Sequence, residues 1–181
     1  HAYESNEKNI KNLLTYIGES VDFQSSAGVV TSLPAELRQD GDGLRLHDGW
    51  DIQNDYGSPV RSGNKGTVIF TDYGKFDGNR IMIYEGTNYK GELIFSDYLH
   101  NGFRDEKGKD KPGSGILVRS GQTVKQHEAI ALMGDTGNSS RGKRHSHKDL
   151  FVIPKDAEND EWNKVLKAVN TMTQIAQKYN G

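Results

Sequence analysis

Residues 44–53 read LRLHDGWDIQ, and the layout of this stretch decides the fold. His47, Gly49 and Asp51 alternate along it, and alternate residues of an extended strand share one face. A helix would also align residues four apart, but Gly49 and the GSP that follows at 57–59 disfavour one. The stretch is therefore read as a strand with a histidine and an aspartate on one side, the glycine between them leaving room for an ion. Taken alone, such a pair can be a surface cluster as well as half of a metal site.

Outward from this strand, 44–153 continues in short runs rich in β-branched and aromatic residues: GTVIFTDYG (66–74), NRIMIYEG (79–86), ELIFSDYLH (92–100), GILVRSG (115–121), AIALMGDTG (129–137) and KDLFVIP (148–154). Each stops at glycine, proline or a polar cluster, and no helical period intervenes, which predicts a mainly β, antiparallel core. NGFRDEKGKDKPGSG (101–115) interrupts the series as a long charged loop, either a solvated excursion or a wall beside a site. Before the strands, Ile10, Leu13, Leu14, Ile17 and Val21 follow helical spacing, and a polar connector runs over 25–43. After them, Trp162, Val165, Leu166, Val169, Met172, Ala176 and Tyr179 form an apolar stripe expected to dock a C-terminal helix on the core. Three parts result: 1–43, a helix and connector that could occlude a site; 44–154, the β core; and 155–181, the amphipathic helix.

The 181 residues suffice for one domain with a core. A net charge of -2 argues against a nucleic-acid binder, and no apolar run is long enough for a membrane span. With no cysteine, any metal must be held by imidazole and carboxylate. The chain starts at His1 without methionine or an apolar leader, so a processed product that has lost an export signal is expected.

The second half of a metal site is found in KRHSHKDLF (143–151). His145 and His147 share a strand face, with Asp149 next along it. Two imidazoles and a carboxylate suit zinc, and a catalytic zinc site uses three protein ligands plus a water. With His47 and Asp51 the set has one histidine to spare. His100, in SDYLHNG, ends an apolar run; it reads as a core histidine or, beside a metal, as an acid or base.

In this order the motifs resemble those of the lysostaphin-type (LytM-like) zinc endopeptidases: H-x-G-x-D as His47 to Asp51, Y-x-H as Tyr98 to His100, and H-x-H as His145 to His147. YGSPV (56–60), GTV (66–68), Gly74 and VRSGQTVKQHEAIALMGDTGNSS (118–140) are similar to further landmarks of that family, and the likeness covers 44–153. It implies the family's duplicated β core, one Zn2+ held by His47, Asp51 and His147, and catalytic roles for His100 and His145. It further implies hydrolysis of peptide cross-links in bacterial peptidoglycan through a metal-activated water. The protein would be extracellular, periplasmic or bound to the cell wall, would have peptidoglycan peptides as its partner, and would act as a monomer. The alternative is a latent or non-enzymatic module that binds cell wall or regulates another hydrolase. The chain departs from the family at Ser146 and Lys148, where apolar residues are usual, and at Asn101, in place of leucine. Two residues separate Gly142 from His145 where one is usual, and His127 stands at a glycine position in a turn. Asp149 is either an acceptor for a ligand imidazole or a plain surface carboxylate. His1 and His127 have no counterpart in the motifs and are expected on the surface.

Overall fold

A computed structural model describes residues 26–32, 37–40, 43–47, 49–139 and 143–153. The helices expected over 4–21 and 158–179, His1, and the Gly142 position lie outside the described residues.

Among the described residues, eleven strands follow in chain order: β1 (Val29–Ser32), β2 (Leu37–Asp40), β3 (Gly43–Leu46), β4 (Gly49–Gln53), β5 (Pro59–Arg61), β6 (Gly66–Gly74), β7 (Gly78–Thr87), β8 (Leu93–Asn101), β9 (Thr123–Val124), β10 (Ala129–Leu132) and β11 (Ser146–Ile153). Seven form one antiparallel sheet in the order β1-β4-β11-β8-β7-β6-β9. β10 pairs with β5, and β2 with β3, as separate ribbons. The mainly β, antiparallel expectation is borne out.

The period of two along each strand divides the sheet into two faces. Ile52, Val68, Ile81, Ile83 and Tyr98 point to one face, where they pack with Val60 of β5, Ile130 of β10 and Met133. This core lies between the sheet and the β5–β10 ribbon. Asp51, Asp97, His147 and Asp149 occupy the opposite face, and cross-strand register aligns them: His147 lies opposite Asp51 and Leu99, and Asp149 opposite Gly49 and Asp97.

Three stretches differ from the sequence reading. LRLHDGWDIQ is two strands and not one: β3 ends at Leu46 and β4 begins at Gly49, so His47 lies outside both strands, its ring still meeting Asp51. Val29–Ser32, inside the presumed connector, is an edge strand paired with β4. GILVRSG is not a strand. Ile116 makes a single bridge to Ala131, flanked by bonds between Leu117 N and Ile130 O and between Leu132 N and Gly115 O. Its apolar residues are divided, Val118 buried in the core and Leu117 exposed, so no second strand is held alongside.

The departures also acquire structures. Lys148 is buried on the core face, in register with Trp50 and Tyr98, and its ammonium sits 5.6 Å from the centre of the Tyr98 ring. A cation over an aromatic face offsets part of its desolvation. Asn101 is buried and donates its amide to the carbonyls of Tyr98 and Asn79, pinning the end of β8. His127 is exposed and has a φ of 65°, the left-handed conformation for which glycine is usual.

Candidate functional site

Three donor atoms converge where β4 meets β11. His47 Nε2 lies 3.0 Å from His147 Nδ1 and 3.3 Å from Asp51 Oδ1, and His147 Nδ1 lies 2.7 Å from Asp51 Oδ1. All three residues are buried. A tetrahedral ion with bonds of about 2.0–2.1 Å holds its ligand atoms about 3.3 Å apart, so this triangle fits zinc with only small adjustments. The nitrogen and oxygen donor set is the one that zinc accepts when no thiolate is present.

The far sides of both imidazoles are tied down. Asp149 Oδ1 lies 2.6 Å from His147 Nε2. An ionised carboxylate only accepts, so Nε2 carries a proton and Nδ1 is left facing Asp51 and His47. Ser32 Oγ lies 3.0 Å from His47 Nδ1, the complementary arrangement on the other ring. Such outer partners fix the tautomer and orientation of metal-binding histidines. Asp149 is thus a buried acceptor for the His147 imidazole, not a surface carboxylate.

The electrostatics favour a cation at this point. Burial alone would lift the Asp51 carboxyl, but hydrogen bonds and charge from His147 and His47 hold it well below the usual carboxylate range. Burial likewise opposes a charged His147, yet Asp149 and Asp51 on either side push its ring up to about 10. Two carboxylates on one imidazole demand positive charge, which a divalent ion supplies.

Gly49 serves this pair rather than an ion directly. A Cβ at residue 49 would run into Asp149 Oδ1 and lie 2.5 Å from the Lys148 carbonyl and 2.8 Å from His147 Nε2. The space left by the glycine in H-x-G-x-D is therefore filled by the His147–Asp149 hydrogen bond. Because the Lys148 carbonyl belongs to the β4–β11 ladder, the clash cannot be relieved by rotating a side chain. Gly49→Ala is expected to break that bond and weaken metal binding by about 10- to 100-fold, the usual cost of losing an outer partner. Zinc titration against a chromogenic chelator measures it.

His100 and His145 lie beside the donor triangle, in a groove of about 890 Å³. The ring centres of His100 and His145 are 5.1 Å apart, that of His100 is 6.2 Å from His147, and His145 Nε2 is 3.8 Å from Asp51 Oδ1. Both rings are anchored by backbone. His100 Nδ1 donates to the Thr136 carbonyl at 2.8 Å, and His145 Nδ1 donates to the Lys143 carbonyl at 3.0 Å. A carbonyl cannot donate, so Nδ1 of each ring carries a proton, and a neutral ring then has its lone pair on Nε2. His100 also adopts a left-handed φ of 63° at the end of β8. Non-glycine residues in that conformation cost about 1–2 kcal/mol, and such strain collects at functional sites. Burial first, then the neighbouring His145, lower the His100 ring to about 4, so it is neutral in ordinary buffers.

The five residues picked out by motif therefore lie together. Sequence reasoning missed Ser32, the Thr136 carbonyl, and an ion pair farther along the groove, where the half-buried Arg80 donates from Nε to both oxygens of the buried Asp97 at 2.8 Å. Arg80 stands near the start of β7 and Asp97 within β8, short of His100, positions with no motif of their own.

Fold and site together resemble those of lysostaphin-type, LytM-like peptidases, and the chain is similar to proteins of that class. No family model matches it. Over 106 residues it is 31% identical to the peptidoglycan DD-endopeptidase ShyA and 36% identical to ShyB, both of Vibrio cholerae. Each match covers 59% of this chain and 20% of the relative, so the chain spans about a fifth of the length of those proteins. Among solved structures, a zinc-containing peptidase from Vibrio cholerae superposes with a TM-score of 0.53 at 26% identity, over 74% of this chain and 37% of the other. The catalytic domain of the prophage-encoded M23 protein EnpA of Enterococcus faecalis shares the fold, with a TM-score of 0.54 at 20% identity, over 76% of this chain and 98% of the other.

Proposed function

We propose that this chain is a zinc-dependent endopeptidase domain that hydrolyses peptide cross-links of bacterial peptidoglycan. In this reading His47, Asp51 and His147 hold the ion, and His100 and His145 are the catalytic histidines. The domain acts outside the cytoplasm as a monomer, with 44–154 as its catalytic core. The observation that carries it is the pairing of one buried three-donor triangle with two further imidazoles, both with Nδ1 bound to backbone carbonyls.

Zinc, when bound, supplies Lewis acidity that acidifies a water and polarises a carbonyl. The chain's own residues do the rest. His47, Asp51 and His147 set the position of the ion, and Asp149 and Ser32 orient two of those ligands. His100 and His145 can each take up a proton at Nε2 and pass it on, to the leaving amine or as a hydrogen bond to a developing oxyanion.

Digestion of purified peptidoglycan with and without a chelator, read by mass spectrometry, tests this proposal. Chelator-sensitive release of peptide fragments is expected. The names of the relatives favour D,D-cross-links, and the fragment masses distinguish these from glycine bridges. A zinc-loaded sample that releases nothing would instead support the latent or binding-only reading, with 1–43 as the segment to remove first.

A further inference from the structure

The charged loop 101–115 is solvated over much of its length and does not line the groove, but one of its residues ties it to the body of the domain. Arg104 turns inward from it. Its Nε donates to the Asp135 carbonyl at 3.0 Å, and one terminal nitrogen, Nη2, lies 2.7, 3.0 and 3.2 Å from the carbonyls of Asp135, Gly137 and Ser139. The Asp110 and Asp135 carboxylates balance its charge at 3.3 and 3.6 Å. Asp110 also accepts from the Gly137 N–H at 2.8 Å and from the Tyr73 hydroxyl at 3.1 Å, and Asp135 accepts from the Tyr56 hydroxyl at 2.6 Å. One guanidinium thus collects alternate carbonyls of a segment, 135–139, that belongs to no strand.

That segment holds the two histidines outside the donor triangle. The carbonyl between those Arg104 takes, that of Thr136, accepts from His100 Nδ1. Ser139 Oγ donates to the Lys143 carbonyl at 3.0 Å and lies 3.4 Å from His145 Nδ1, which shares that carbonyl. Without the fork, three backbone carbonyls lose the hydrogen bonds from Arg104, and 135–139 keeps its link to the loop through Asp110.

We propose that Arg104 is a positioning residue. Acting through 135–139, it holds the Nδ1 proton of His100 on Thr136 and sets the stance of His145. The proposal rests on the hydrolase reading above and deepens it. A lysine keeps the charge opposite Asp110 and Asp135, but an ammonium cannot reproduce a planar fork spread over three carbonyls.

The test compares Arg104→Lys, Asp110→Asn and the exposed loop variant Lys107→Ala with the unmodified zinc-loaded chain. Arg104→Lys is expected to lower kcat by about 10- to 100-fold, as outer partners do, with KM and zinc stoichiometry unchanged. Lys107→Ala is expected to match the unmodified chain. Asp110→Asn, which keeps an acceptor for Gly137 but removes the facing charge, is expected to fall between those two variants. Proton NMR supplies a measurement that needs no turnover: the exchange-protected Nδ1–H signal of His100 should be present in the unmodified chain and broadened or lost in Arg104→Lys. Unchanged kcat and an unchanged signal in Arg104→Lys would overturn the proposal, as would a drop confined to KM. If Arg104→Lys does not fold, kcat and the His100 signal of Asp110→Asn decide in its place, a fall in both supporting the proposal and no change in either overturning it. If the unmodified chain cleaves nothing, the hydrolase reading fails, while the His100 signal still decides whether Arg104 holds the ring.

Discussion

Replacing His147 with alanine is expected to remove zinc from the protein and peptidoglycan cleavage with it. His147 contributes the donor atom closest to the other two, with Nδ1 2.7 Å from Asp51 Oδ1 and 3.0 Å from His47 Nε2. Its loss leaves two donors where a catalytic zinc site uses three, and also takes from Asp149 the ring that it orients. Metal affinity should fall by more than about 10³-fold, beyond the about 10- to 100-fold typical of outer partners. Metal analysis after dialysis should then give close to one zinc per chain before the substitution and close to none after it. The β11 backbone ladder to β4 and β8 does not depend on the side chain, so the circular dichroism of the sheet should persist. A folded variant that kept its zinc would show that the ion, if bound, sits elsewhere.

The legible parts of the chain are those where side chains carry the pattern. β6, β7 and β8 are readable because each carries a run rich in β-branched and aromatic residues, Val68–Phe70, Ile81–Tyr84 and Leu93–Phe95, within nine or ten positions bounded by turn residues. The four-residue VVTS of β1 is not, because it is too short for a period to emerge from a polar stretch, and its place depends on pairing with β4. GILVRSG misleads for the opposite reason: it has strand composition but only one bridge to hold it. In the site, His47, Asp51, His100, His145 and His147 announce themselves by residue type and spacing. Thr136 does not, because what it contributes is a carbonyl, which every residue has. Arg104 is hidden in the same way. In sequence it is one charge among many in 101–115, and only folding shows that its partners are carbonyls of 135–139. Asp149 lies between these cases, since its spacing places it on the ligand face but its burial decides its role.

His145→Ala is expected to separate metal binding from catalysis. His145 lies outside the donor triangle, its Nε2 3.8 Å from Asp51 Oδ1, too far to be part of the 2.7–3.3 Å cluster. The ring is held from the other side by the Lys143 carbonyl, so its removal disturbs neither Asp149 on His147 nor Ser32 on His47. Zinc content should therefore stay near one per chain. Activity should fall by about 10²- to 10⁴-fold, the usual contribution of a positioned acid or base. The loss should appear in kcat, because a proton transferred during reaction stabilises the transition state more than the bound substrate. The contrast with His147→Ala makes the assignment testable: one variant loses metal and activity together, the other activity alone. Full activity in His145→Ala would leave His100 as the sole candidate for proton transfer. Loss of zinc from it would mean that His145 reaches the ion, and that the donor triangle lacks one of its ligands.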